Sequence, residues 1–170
     1  MQTEGLKVMK DRTACFTGHR IIPAGQYNAI NKCLTETIIN LIDKGYCFFG
    51  CGGALGFDTM AAEKVLMLKR QYPHICLILV LPCLYQTRGW NEHDRNVYEY
   101  IKTHADKVVY TSQKYSKGCM HKRNRHLINN SSVCICYLTK PAGGTAYTVN
   151  YARQQGVNVI NIAKRKEDCR

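Results

Sequence analysis

Several common signals are missing from this 170-residue sequence. It has no Cys-x-x-Cys pair, no Gly-Lys-Ser/Thr closing a glycine loop and no apolar run approaching a bilayer span. These absences exclude a paired-cysteine zinc site, a Walker phosphate loop and a membrane-spanning helix. Acidic residues are scarce: 12 Asp and Glu stand against 24 Lys and Arg, a formal net charge of +12. Such an excess implies affinity for anions. Proline is sparse, tryptophan occurs once, and no low-complexity linker or internal repeat divides the chain. The expectation is a single domain over residues 1–170, with its core from about 12 to 163. The opening MQTEGLKVMKDR lacks the apolar stretch of a secretory signal, so the expected compartment is the cytoplasm. No membrane partner is expected.

What is present begins with ten cysteines. Cys15, Cys47, Cys76, Cys134 and Cys136 fall inside apolar strand-like runs, where a reduced thiol packs as a small hydrophobe. Cys119 near His121 is the closest approach to a metal pattern, but the paired spacing of structural zinc is lacking. No metal ion and no cofactor is expected.

Apolar runs alternate with helical patterns along the chain. TACFTG (Thr13–Gly18), YCFFG (Tyr46–Gly50), ICLILVLP (Ile75–Pro82), KVVY (Lys107–Tyr110), VCICYL and VNVINI read as six strands. Between them lie helical segments: YNAINKCLTETIINLIDKG, about Asp58 to Tyr72, EHDRNVYEYIKTHA, a basic segment running to about Asn130, and GGTAYTVNYARQQG. This rhythm predicts an α/β fold, a Rossmann-like, mostly parallel sheet with helices on both faces. The first ten residues and the tail KRKEDCR are expected to fray.

In open α/β sheets ligands bind beyond the carboxyl ends of the strands. Three loops belong there: TGHR (Thr17, Gly18, His19, Arg20), GCGGALGFD (with Gly52, Gly53 and Asp58) and PAGGT (with Gly143, Gly144 and Thr145). Each offers amides near a helix start, where the dipole favours an anion, and together they point to phosphate-type binding. For any one loop the alternative is a tight turn. The spacing Gly50-x-Gly52-x-x-x-Gly56 is not the dinucleotide fingerprint. The segment KYSKGCMHKRNRH holds five Lys or Arg, two His and no acid, and faces an anion. Arg20 and Arg123 are the candidate phosphate partners, since a guanidinium fork suits phosphate oxygens. Asp58 reads as the N-cap of the helix beginning TMAAEKVL, as an acceptor for a ribose hydroxyl, or as both. Trp90 and Gln86 are candidates for stacking on and reading a base; packing of Trp90 beneath its loop is the alternative.

CFTGHR, GGALGFDTMAAE, PCLYQTRGW, GCMHKRNR and GGTAYTVNYA, in this order, resemble the YpsA-like branch of the SLOG superfamily, related to the Smf/DprA and Lonely Guy proteins. The resemblance runs from about Thr13 to Ile162. It implies a Rossmann-like sheet whose glycine loops bind a nucleotide or a nucleotide-derived ligand. Lonely Guy enzymes cleave base from ribose phosphate with a Met-His-x-Arg-Lys stretch and a Pro-Gly-Gly-x-Gly-Thr-x-x-Glu loop. Met120, His121 and Arg123 match the first, but Asn124 stands for the lysine; in the second, Thr148 stands where the glutamate belongs. Cleavage through an oxocarbenium-like state needs a carboxylate. Asp58 and Arg123 are the remaining catalytic candidates.

The leading expectation is a sensor or sequestering module for a small phosphorylated ligand of the nucleotide, ADP-ribose or NAD kind. A nucleotide N-glycosidase and a single-stranded DNA binder are the alternatives, nucleic acid being the less favoured partner. A homodimer is a candidate assembly.

Overall fold

A computed structural model describes residues 2–164. Six strands form one sheet in the order β4-β3-β2-β1-β5-β6, every neighbouring pair parallel. They are β1 (Thr13–Gly18), β2 (Phe48–Cys51), β3 (Cys76–Leu81), β4 (Lys107–Tyr110), β5 (Val133–Tyr137) and β6 (Asn158–Asn161). The helices are α1 (Gln2–Asp11), α2 (Tyr27–Asp43), α3 (Phe57–Lys69), α4 (Glu92–His104), α5 (Cys119–Asn129) and α6 (Gly144–Gln154), with short 3-10 turns at Ala24–Gln26 and Ile162–Lys164.

The central strands are apolar without alternation because both their faces are covered; all five residues of β5, VCICY, are buried. One core takes Ile30, Leu34, Ile38 and Leu41 of α2, Met60 and Val65 of α3 and Tyr98 and Ile101 of α4 against Phe16, Phe49, Leu77 and Leu79. A second, on the opposite face, packs Leu127 and Ile128 of α5 and Val149 and Ala152 of α6 against Cys15, Val80, Cys134 and Cys136. In α2 the buried positions fall at 30, 33, 34, 37, 38, 41 and 42, the stripe of a helix lying on a sheet. Right-handed crossovers account for the partition. The chain winds from β1 outward to β4 on one face, then returns to build β5 and β6 on the other.

That reversal places a topological switch point between β1 and β5, which pair from Ala14↔Val133 to Gly18↔Tyr137. The crevice beyond their carboxyl ends is where such sheets bind ligands.

The amino-terminal segment corrects the sequence expectation. Residues 2–11 form a helix rather than a frayed end, joined to the sheet where the Thr13 hydroxyl donates to the Met9 carbonyl at 2.6 Å and Arg12 O accepts from Cys47 N at 3.1 Å. The tail KRKEDCR lies outside the described residues after Lys164. Eight of the nine cysteines among the described residues are buried. Among those residues no group of three or more His, Cys, Asp or Glu could hold a metal ion, and no helix is long and apolar enough to cross a membrane.

Candidate functional site

A cavity of about 350 Å³ opens at the switch point. Its size falls at the small end of the range for small-molecule sites, roughly 300–1,000 Å³. Thr17, Gly18, His19 and Arg20 line it from the end of β1, Ala54 and Asp58 from the β2–α3 loop and α3, and Gly144 and Thr145 from the start of α6. Met120, His121, Arg123 and Asn124 close it from α5. The three loops singled out in the sequence therefore meet at one hollow.

Hydrogen bonds tie those loops into a ring. His19 joins the first to the second and to the segment leading into the third: its carbonyl accepts from Phe57 N at 3.1 Å, and its Nε2 accepts from Thr139 N at 2.9 Å. An Nε2 that accepts carries no proton. Burial and the nearby Lys140 ammonium hold the His19 imidazole below its ordinary range, consistent with that neutral state. The circuit closes through α5. Arg123 Nη1 donates to the Gly52 carbonyl, and its Nε donates to Asn124 Oδ1 at 2.6 Å. Asn124 Nδ2 donates to Thr148 Oγ1 at 2.9 Å, and the Thr148 hydroxyl donates to Gly144 O at 2.9 Å. One polar chain thus runs from the β2 loop to the first residue of α6.

The glycines divide into those that serve packing and those that face open space. A Cβ on Gly52 would lie 2.6 Å from Arg123 Cζ, so this glycine makes room for the guanidinium. At Gly18 it would sit 2.5 Å from Phe57 Cβ, and at Gly53, where φ is +67°, 2.8 Å from Leu81 Cδ2. Neither Gly52 nor Gly53 lines the cavity. Gly143 and Gly144 are different: beyond their chain neighbours and the backbone of α6, no atom of the described residues lies within 4 Å of either Cβ position, and of the two only Gly144 lines the cavity. Gly143 is the N-cap of α6 and supplies no side-chain cap, so the first amides of that helix keep their capacity to bind. Gly56 and Gly118 cap α3 and α5, likewise without a side-chain bond.

Asp58 is not the N-cap of α3. That position belongs to Gly56, and Asp58 sits in the first turn, buried. Its Oδ2 accepts from Ala54 N at 3.3 Å while the Thr59 hydroxyl donates to Ala54 O at 3.0 Å, so adjacent helix residues hold both sides of the loop. Burial pushes its carboxyl up from an ordinary 3.8 to about 6, opposed by the Arg123 guanidinium, the Ala54 amide and Arg20. Between those two values the native state keeps a proton that the unfolded chain has released. This group therefore adds stability as the pH falls from about 7 to about 4. Relative to Asp58→Asn, wild type should gain about 2–3 kcal/mol of unfolding free energy between pH 7.5 and pH 4, read from urea denaturation curves. A difference that stays flat would show an ordinary carboxylate.

Arg123 is 3% exposed, and burial draws its guanidinium below its ordinary range while the Asp58 charge opposes. It lines the cavity, but two of its donor nitrogens are engaged by Gly52 and Asn124. Gln86 and Trp90 are not brought to the cavity. Gln86 Nε2 donates to Gly52 O at 3.1 Å, and the Trp90 ring meets Tyr98 edge-on at 5.6 Å, packed against the core. The sequence singles out the loop that holds Ala54 but not Ala54 itself, and gives no signal for the Thr139 amide. Asn124 and Thr148 carried a visible signal: they stand where the Lonely Guy stretches have a lysine and a glutamate, and they bond to each other.

The family model described as the YspA SLOG family matches residues 23–163. A UPF0398 protein of Bacillus thuringiensis (strain Al Hakam) is 31% identical over 130 residues, which is 75% of this chain and 71% of the relative. Among solved structures, DNA processing protein A from Helicobacter pylori, described for its single-stranded DNA binding mode, aligns with a TM-score of 0.63 and 19% identity. That alignment covers 91% of this chain and 66% of the other. DNA processing protein A from Streptococcus pneumoniae gives a TM-score of 0.64 at 18% identity, covering 90% of this chain and 50% of the other. The chain spans about two thirds and half of those two proteins, and at such identity the likeness is one of fold.

Proposed function

The chain belongs to the YspA SLOG family, and on that premise we propose that it binds a nucleotide or nucleotide-derived ligand in the switch-point cavity. An ADP-ribose or NAD-type molecule is the class that suits it, held as by a sensor or sequestering module. The observation that carries the reading is the hydrogen-bonded ring drawing three strand-end loops around one hollow. Within it the uncapped start of α6 and Arg20 suit a phosphate, while the buried Asp58 carboxylate suits a ribose hydroxyl.

Binding without cleavage is favoured by Asn124 and Thr148. At the positions where a Lonely Guy enzyme has a lysine and a glutamate, these neutral side chains satisfy each other at 2.9 Å. The hydrogen bonds that fix Arg123 leave it a structural part of the wall. A thermal-shift series against nucleotides, followed by chromatography of the bound compound, checks this. Stabilisation by a nucleotide recovered intact is expected; release of free base would establish an N-glycosidase, and loss of that activity in Asp58→Asn would support Asp58 as its carboxylate.

Single-stranded DNA binding is the second reading. It is favoured by the fold shared with the Helicobacter pylori protein and by the basic α5, CMHKRNRHLIN. Affinity falling steeply with salt and indifferent to the loop glycines would select it.

A further inference from the structure

His121 stands in the first turn of α5 and lines the cavity. Its ring lies against Tyr147 of α6, centroids 4.2 Å apart and planes tilted by 55°. The Tyr147 hydroxyl accepts from Arg125 Nη1 at 2.9 Å, so the phenol backing the imidazole is held at its far end. His121 Nδ1 is shut off from solvent and has no hydrogen-bond partner among the described residues, a state that native proteins rarely leave without a use. A backed aromatic ring beside a hollow whose other walls carry amides and guanidinium groups is the arrangement on which a flat heterocycle packs while its phosphate is held. Trp90, the only tryptophan, is spent on Tyr98, and Gln86 on Gly52.

We infer that His121, backed by Tyr147, forms the wall on which the ligand's planar ring packs, so that the site prefers nucleotides to sugar phosphates lacking a ring. This rests on the cavity reading given above. His121 touches the ligand; Tyr147 and Arg125 act through it as positioning residues.

The test is calorimetric titration of the full chain with AMP and with ribose 5-phosphate, which carry the same phosphate monoester and differ in the base. Wild type should bind AMP at least about tenfold more tightly. His121→Ala should lose that advantage while ribose 5-phosphate binds as before. His121→Leu, which keeps more bulk should the alanine variant unfold, should do the same. Tyr147→Leu should lose part of the advantage and Tyr147→Phe should keep it. An advantage that survives loss of the imidazole, or a loss shared equally by both compounds, would overturn the inference. Equal binding of both by wild type would overturn it while leaving the cavity reading intact. Binding of neither would remove the cavity reading and the ring wall with it.

Discussion

Replacement of Arg123 by alanine is expected to cost about 3–5 kcal/mol of unfolding free energy, a large part of what a domain of this size holds. The side chain is buried, and its loss acts at three places. The Gly52 carbonyl keeps only the Gln86 amide as a side-chain donor. Asn124 Oδ1 loses its partner at 2.6 Å, so the chain leading through Thr148 to α6 is cut at its root. Asp58 loses the strongest of the influences opposing its burial, and its carboxyl should rise further above 6. Lysine is no substitute, because a single ammonium cannot serve the Gly52 carbonyl and the Asn124 amide with the same fork. Urea denaturation of Arg123→Ala, with Arg125→Ala as the control, measures the effect. Among the described residues the Arg125 side chain bonds only to the exposed Tyr147 hydroxyl, and its loss should cost less than about 1 kcal/mol. The double variant with Asp58→Asn should be less destabilised than the two single losses added together, since it removes the charge left without an answer.

Gly56→Ala should be comparably severe, for a backbone reason. Gly56 has φ +76° and ψ −116°, a conformation that side chains scarcely reach. An added Cβ would also collide with the Arg20 carbonyl oxygen and carbon, which are backbone atoms without a rotamer to yield. The loop after β1 and the start of α3 would have to part, breaking the bond from Phe57 N to His19 O and opening the cavity. Strain and clash together should amount to about 3 kcal/mol or more. Gly143→Ala separates the two contributions. Its φ of +103° carries the strain, but its surroundings are empty, so it should lose only the conformational share, about 1–2 kcal/mol. Equal losses at the two positions would show that the contact with Arg20 contributes nothing.

These contrasts mark the limit of what the sequence discloses. Period and composition suffice to read six strands in order, because runs such as CLILVL are too short for a buried helix and alternate with helical patterns. Boundaries shift by a residue or two: the sequence predicts the second strand over Tyr46–Gly50, and it runs Phe48–Cys51. The helix α1 goes unread because Leu6, Val8 and Met9 are all exposed, so no apolar stripe facing the core marks it in the sequence. At the site, the loops that converge are legible from topology. The job of each glycine is not. One letter covers Gly52, which admits a guanidinium, Gly56, which admits a carbonyl and a positive φ, and Gly144, which admits nothing of the protein. Arg123 illustrates the same ambiguity for charge. A basic helix start reads as a ligand contact, and only packing shows that its donors turn inward to hold the loop after β2.

Gly144→Val puts the central claim to the most direct trial. The residue is exposed, with open space at its Cβ position, so the variant should keep its melting behaviour to within about 1 kcal/mol. Its side chain would stand at the start of α6, where the first amides border the cavity. Titration with the nucleotide that stabilises wild type should then show binding weakened at least about tenfold, the worth of one charge-assisted contact, in a protein that still unfolds normally. Undiminished binding by the folded variant would place the ligand elsewhere and contradict the claim that these loops surround it.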